Sequence, residues 1–224
     1  MPTIRCGNSR VKMKIDFVSD VACPWCAIGL NALEQALARL GDTVQAELDL
    51  QPFELNPDMA PEGEDIAHYV ARKYGSTPQQ LAERQALIRS RGAEVGFTFG
   101  PRTRVYNTFD AHRLLHWARL EGRQLQLKHA LLAAYHTRGE NPGAHDVLLR
   151  AAGEVGLDVE QARKVLESDA FAAEVRQRIR HWQRLGIDSV PSVIVDDRHL
   201  IQGGQPVEVF EQALRQLATA HEGA

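Results

Sequence analysis

Residues 13–26 read Met13-Lys14-Ile15-Asp16-Phe17-Val18-Ser19-Asp20-Val21-Ala22-Cys23-Pro24-Trp25-Cys26, and their reading decides the fold. Met13, Ile15 and Phe17 alternate with Lys14 and Asp16, the period of a half-buried strand. From Leu30 the apolar positions change to helical spacing, at Leu30, Leu33, Leu37 and Leu40, and Gly41 stands where such a helix would stop. The Cys23-Pro24-Trp25-Cys26 motif therefore falls at a strand-to-helix junction. Residues i and i+3 of a helix share a face with Cα atoms about 5 Å apart, inside the window a disulfide requires. Pro24 suits the first turn, where its missing N–H has no partner to lose. Cys23 is then placed at the N-cap, where free backbone N–H groups and the helix dipole favour a thiolate. Such a thiolate attacks a disulfide or another electrophile, and Cys26 resolves the intermediate.

Working outward, Val44, Ala46, Leu48 and Leu50 alternate with Gln45, Glu47 and Asp49, a second half-buried strand ended by Pro52 and Asn56-Pro57. Between about 61 and 186 strand signals vanish, and helical stretches are expected at 77–95, 107–121, 123–138, 145–155, 158–167 and 169–185. Thr77-Pro78-Gln79-Gln80 reads as a capping box opening the first of them. Strand character returns at Val193-Ile194-Val195 and Leu200-Ile201, joined by the polar turn Asp196-Asp197-Arg198. A last helix carries Val207, Phe210, Leu214 and Leu217 on one face. Two strands precede the helical block and two follow it, and neither pair makes a sheet alone. The expected fold is α/β, one four-stranded mixed sheet with a large all-helical insertion packed against it. The corresponding division is a discontinuous domain at 13–60 and 187–220, an insertion at 61–186 and a flexible leader at 1–12 that contains Cys6.

Composition narrows the function. The 224 residues carry 26 Lys+Arg against 29 Asp+Glu, without the basic excess of a general nucleic-acid binder. Three cysteines do not make a secreted disulfide scaffold. No apolar run reaches signal-peptide length at the start or the roughly 20 residues of a membrane span elsewhere. A cytoplasmic protein is expected, with neither nucleic acid nor membrane as partner. No Walker loop, G-x-G-x-x-G fingerprint or G-x-S-x-G elbow is present, so nucleotide-dependent and serine-hydrolase chemistry lack support.

Other readings of the residues stand beside this one. The two motif cysteines could be half of a zinc site, although four ligands are usual and no second CxxC exists, or they could be inert core residues. His112 and His116 are four apart on a helix but lack the intervening glutamate of a zinc motif, so no metal is expected. Arg176, Arg180 and Arg184 form a stripe that reads as a solvated face or as a dock for an anion such as a glutathione carboxylate. Trp25 and Phe53 offer apolar contacts to a substrate or simply pack. Pro191, at a strand start, is open to either isomer; a cis Val190–Pro191 bond would let the Val190 backbone meet an extended chain beside Cys23.

The order of motifs resembles the thioredoxin-like DsbA family, most closely its cytoplasmic FrnE-like branch. The resemblance runs from Met13 to about Ala220. It rests on residues 15–26, on Pro52-Phe53-Glu54-Leu55-Asn56-Pro57, on Asn107-Thr108-Phe109-Asp110-Ala111-His112-Arg113-Leu114 and on Gly186-Ile187-Asp188-Ser189-Val190-Pro191. It implies a thioredoxin-like sheet and a cis proline at Pro191. It also implies thiol–disulfide exchange with a disulfide-containing protein or a small thiol. Cys23, Cys26 and Pro191 would be catalytic, and Pro24, Trp25, Phe53, Asn56, Asn107, His112, Val190 and Gly203 would contact substrate. The redox-active pair needs no cofactor, though glutathione is admitted as a co-substrate and a homodimer as the assembly. The related kappa-class glutathione transferases and 2-hydroxychromene-2-carboxylate isomerases carry a serine where Cys23 stands and an Asp-Arg pair where this chain has Gly203-Gly204-Gln205-Pro206. Both departures favour dithiol chemistry over glutathione-dependent isomerisation. A non-catalytic module holding zinc or an unfolded client is the remaining alternative.

Overall fold

The computed structural model describes residues 10–222. Strand β1 (Val11–Ser19) leads into helix α1 (Pro24–Leu40) and then strand β2 (Val44–Pro52). After a long excursion come β5 (Ser192–Val195), β6 (His199–Gln202) and helix α9 (Val207–Glu222). The four strands form one mixed sheet in the order β2-β1-β5-β6. β1 runs parallel to β2, with Phe17 opposite Leu50, and antiparallel to β5, with Phe17 opposite Val193. Two segments far apart in sequence thus close into a single sheet, with β1 at its centre.

A central strand covered on both faces is apolar on both faces. Met13, Ile15 and Phe17 pack with Leu30 and Leu33 of α1 and Phe210 and Leu214 of α9. Val18 faces the other way, toward Phe53, Trp182, Ile187 and Ile194. Burying side chains of this size stabilises by about 1.5–3 kcal/mol each, so the sheet is held mainly by α1 and α9 on one side. The β5–β6 turn places Asp196 and Asp197 at φ 52° and 56°. Asp196, Asp197 and Arg198 link Val195 to its partner His199, the Arg198 N–H donating to the Val195 carbonyl, and the left-handed angles suit aspartate better than most side chains.

Between β2 and β5 lie β3 (Glu64–Asp65), α2 (Ile66–Tyr74), α3 (Pro78–Glu94), β4 (Arg104–Val105), α4 (Phe109–Leu120), α5 (Gln124–Leu132), α6 (His145–Glu154), α7 (Val159–Glu167) and α8 (Ala172–Arg184). The Thr77 capping box is formed, the hydroxyl accepting from the Gln80 N–H and the Gln80 side chain accepting from the Thr77 N–H. Four features depart from the sequence expectation. β1 starts at Val11, so residues 11 and 12 belong to the sheet and not to a leader; residues 1–9, with Cys6, lie outside the described residues. Helix α2 is additional, capped by the Asp65 carboxylate accepting from the Ala67 and His68 N–H groups. It is preceded by a two-residue pairing of β3 with β4 inside the otherwise helical segment. The helix expected at 123–138 is α-helical only to Leu132 and ends in a π-helical turn, Ala133–Thr137.

Candidate active site

Cys23 has extended backbone angles (φ −87°, ψ 116°) and caps α1, with Pro24 in the first turn. Both cysteines are free thiols in this structure and both are buried, Cys26 completely. They differ in environment. The hydrogen bond from the Cys26 thiol holds Cys23 below its ordinary value; burial opposes this, and the N–H groups of Cys26 and Trp25 assist. Burial pushes Cys26 well above the usual thiol range, reinforced by its bond to Cys23 and the charge there, with the Lys128 ammonium pulling the other way. One thiol is thus prepared to ionise at a helix N-terminus and the other to keep its proton.

The Val190–Pro191 peptide is cis, and the Val190 carbonyl oxygen lies 3.6 Å from Cys23 Sγ. Two glycines let this loop approach α1. A Cβ on Gly29 would meet Pro191 Cγ at 3.1 Å, and one on Gly204 would meet the Trp25 carbonyl oxygen at 2.9 Å. Gly203, at φ 83°, donates its N–H to the Pro191 carbonyl at 2.8 Å.

Beside Cys23 opens a cleft of about 370 Å³. Of the residues expected at the site, Pro24, Trp25, Asn56 and Val190 line it with Cys23. The other four residues expected to contact substrate are placed outside this lining. Phe53 is buried against Trp182 beneath the sheet because it follows β2 into the core. The Asn107 side chain donates to the Pro57 carbonyl and accepts from the Phe109 N–H, so it ties a loop to the start of α4. His112 is 3% exposed, beside Asp20, and Gly203 bonds the Pro191 carbonyl. Of the arginine stripe, Arg176 stacks over Phe109 at 4.4 Å, and none of the three lines the cleft.

Residues not singled out in the sequence form the backing of the motif. Asp20, 1% exposed, accepts from the Ala22 N–H (3.1 Å), the Leu55 N–H (2.7 Å) and the Thr108 hydroxyl (2.7 Å). His112 Nε2 stands 3.4 Å from the same carboxylate, within ion-pair distance but off a hydrogen-bond line. Burial pushes Asp20 upward, yet His112 and the Leu55 and Thr108 donors outweigh it and leave the carboxyl below its ordinary value. Lys128 of α5 is 1% exposed, and burial lowers its pKa against the attraction of Cys26, Asp20 and Cys23. His136, in the π-helical turn, bonds the Val21 carbonyl through Nε2 at 2.8 Å and meets Arg102 through Nδ1 at 3.4 Å. Neutral imidazole with its proton on Nε2 satisfies both contacts, and burial, then Arg102, keep the ring well below its ordinary pKa.

Among the described residues no three His, Cys, Asp or Glu are grouped to hold a metal ion, and no helix is long and apolar enough to cross a membrane.

Comparison with known proteins agrees with this architecture. The chain is 33% identical to a probable DsbA oxidoreductase from Streptomyces coelicolor, whose crystal structure superposes with a TM-score of 0.86 over 93% of this chain and 90% of that one. It is 28% identical over 203 residues to the uncharacterized protein YwbO of Bacillus subtilis, covering 89% of this chain and 94% of that protein. The fold is shared with the cytosolic disulfide reductase DsbM from Pseudomonas aeruginosa, solved with GSH, at 17% identity and a TM-score of 0.64 over 91% and 98% of the two chains. The DSBA-like thioredoxin domain matches residues 14–215, nearly the whole sheet-and-helix assembly around Cys23, and the chain belongs to that family.

Proposed function

We propose that this protein is a thiol–disulfide oxidoreductase of the FrnE-like kind, working through Cys23 and Cys26 in a cytoplasmic setting. The observation that carries the reading is the placing of the two thiols, Cys23 capping α1 in the cleft lining beside the cis Val190–Pro191 peptide and Cys26 one turn on, completely buried.

In the reducing direction the Cys23 thiolate attacks a substrate disulfide, and a Cys23–substrate bond forms as the substrate S–S bond breaks and one thiolate leaves. Cys26 gives up its proton and attacks Cys23 Sγ, which breaks the mixed disulfide and releases the second thiol. The protein is oxidised by two electrons and the substrate reduced by two. The reverse sequence donates a disulfide, and the partner's potential sets the direction. Pro24, Trp25, Asn56 and Val190 contact substrate in this scheme, while Pro191 shapes the groove. The discontinuous sheet domain and its insertion divide the work, one presenting the thiols and the other covering them.

The test is intact-mass thiol trapping across a series of glutathione buffers, with peptide mapping. Reversible loss of two protons confined to Cys23 and Cys26 is the expected result. Cys23→Ser abolishes exchange, and Cys26→Ser accumulates mixed disulfides. Both thiols staying alkylatable in every buffer would end the proposal. Glutathione-dependent activity that survives Cys26→Ser would instead favour the isomerase or transferase reading.

A further inference from the structure

We propose that the cleft beside Cys23 is a binding site for a small disulfide that carries an anionic group on an apolar, aromatic-sized body. This rests on the thiol–disulfide reading above and adds the substrate class.

The cleft volume of about 370 Å³ is that of a small-molecule pocket, not of a long polypeptide groove. Trp25 lines it together with Tyr69 and Tyr74 of α2 and Ile88 of α3. The charged residues in its lining are Arg84 and Arg102, and no Asp or Glu lines it. On the same two helices Arg72 is neutralised by Glu64 and Arg91 by Glu94, while Arg89, outside the cleft lining, has no carboxylate partner among the described residues. Among the described residues Arg84 and Arg102 pair with no carboxylate. They are held instead by ring faces, Arg84 at 5.6 Å over Tyr74 and Arg102 at 5.0 Å over Tyr135. Arg102 also donates to the carbonyl of Ala22, the residue before Cys23, at 3.3 Å.

Two guanidiniums without counter-ions on an apolar wall complement an anion with an aromatic or aliphatic body. A cationic disulfide meets repulsion there, and a wholly polar one leaves the aromatic wall unused. With the ligand written R–S–S–R′, Cys23 takes RS as R′S⁻ leaves, and Cys26 then displaces RS⁻ from Cys23. The two thiol protons pass to the two released thiolates, so one disulfide is reduced as the Cys23–Cys26 disulfide forms.

Pre-reduced full-length protein in a Cys6→Ser background can be mixed in single turnover with four probes. These are 5,5′-dithiobis(2-nitrobenzoate), 4,4′-dithiodipyridine, glutathione disulfide and cystamine. Each rate is divided by that of the same probe with N-acetylcysteine, which removes intrinsic reactivity. The expected result is saturation with the nitrobenzoate probe and a normalised rate at least tenfold above the other three. Arg84→Glu, at an exposed position, reduces the nitrobenzoate-to-dipyridine ratio at least fivefold. Arg89→Glu, on the same helix outside the cleft lining, leaves that ratio unchanged. Equal normalised rates without saturation would overturn the proposal. So would a ratio insensitive to Arg84→Glu, or equally sensitive to Arg89→Glu. Glutathione disulfide matching the nitrobenzoate probe would overturn the apolar half of the claim. In all these outcomes the Cys23–Cys26 disulfide still forms; its failure to form with any probe would overturn the oxidoreductase reading as well.

Discussion

The sheet and the helices between β2 and β5 bring different things to one site. From the sheet side come Cys23 and Cys26 at the start of α1 and the cis Val190–Pro191 loop, all placed by local geometry. From the segment between β2 and β5 come Thr108, His112, Lys128, Arg102 and His136, each with a contact or charge directed at Asp20, the motif or the turn before it. The first region presents the thiols and the second surrounds them with buried polar groups. A dithiol at a helix N-terminus is therefore only part of the device; the bond between the two thiols and their burial shift them most, and Lys128, more than a hundred positions away, acts on Cys26 against its burial.

The sharpest way to break this comparison is to cut the link between the two regions. Asp20→Ala leaves the N–H groups of Ala22 and Leu55 and the Thr108 hydroxyl without their acceptor. A loss of about 3–5 kcal/mol in urea unfolding is expected, as for removing one member of a buried charged network. A loss of only a few tenths would mean that the helices hold their place without this anchor.

His136 sharpens it through pH. Its folded-state pKa lies well below 6.5, so near pH 6.5 the unfolded chain takes up a proton that the folded chain refuses. Stability is complete above the unfolded value and falls as pH drops through it, by about 1.4 kcal/mol per pH unit for one proton. His116 is also lowered by burial and adds in the same direction. Asp20, whose folded value is depressed, loses its contribution only at more acidic pH, as the solution falls through the carboxylate range. His136→Phe is expected to flatten the stability profile between pH 6.5 and 5, measured by unfolding at each pH. An unchanged slope would transfer the effect to other groups.

The smallest effect expected is on rate. Lys128→Met removes the ammonium that favours the Cys26 thiolate. For each tenfold loss of thiolate the rise in nucleophilicity returns about threefold, so resolution slows by about threefold for such a change. Quenched trapping of the mixed disulfide would show its longer lifetime, with the Cys23 attack rate less affected. Equal lifetimes in the variant and the parent would remove Lys128 from the chemistry.

What could be read from the chain was what neighbours in sequence decide. The strand period up to Phe17, the N-cap position of Cys23 with Pro24 after it, the Thr77 capping box and the polar hairpin turn are all local, and all are in the structure. Even α2 had its signal, Asp65 before Ile66, Tyr69 and Val70, although the segment is only nine residues long. Lys128 and His136 gave none, because a polar residue within a helical stretch reads as surface until another element covers it. The π-helical turn at Ala133–Thr137 likewise has no pattern distinct from the α-helix it interrupts.

Local sequence patterns were enough for the fold class and for the placing of the Cys23–Cys26 pair at a strand-to-helix junction, since backbone propensity, capping and period act over a few residues; the meeting of the Pro191 loop with Cys23 was implied by the family resemblance alone. Only the tertiary structure decided that Asp20, Lys128 and His136 are buried, that Phe53, Asn107, His112 and Gly203 fall outside the cleft lining and that Arg84 and Arg102 belong to it. Burial and charge pairing are properties of distant segments brought together, and they set both the thiols' protonation and the ligand the cleft accepts.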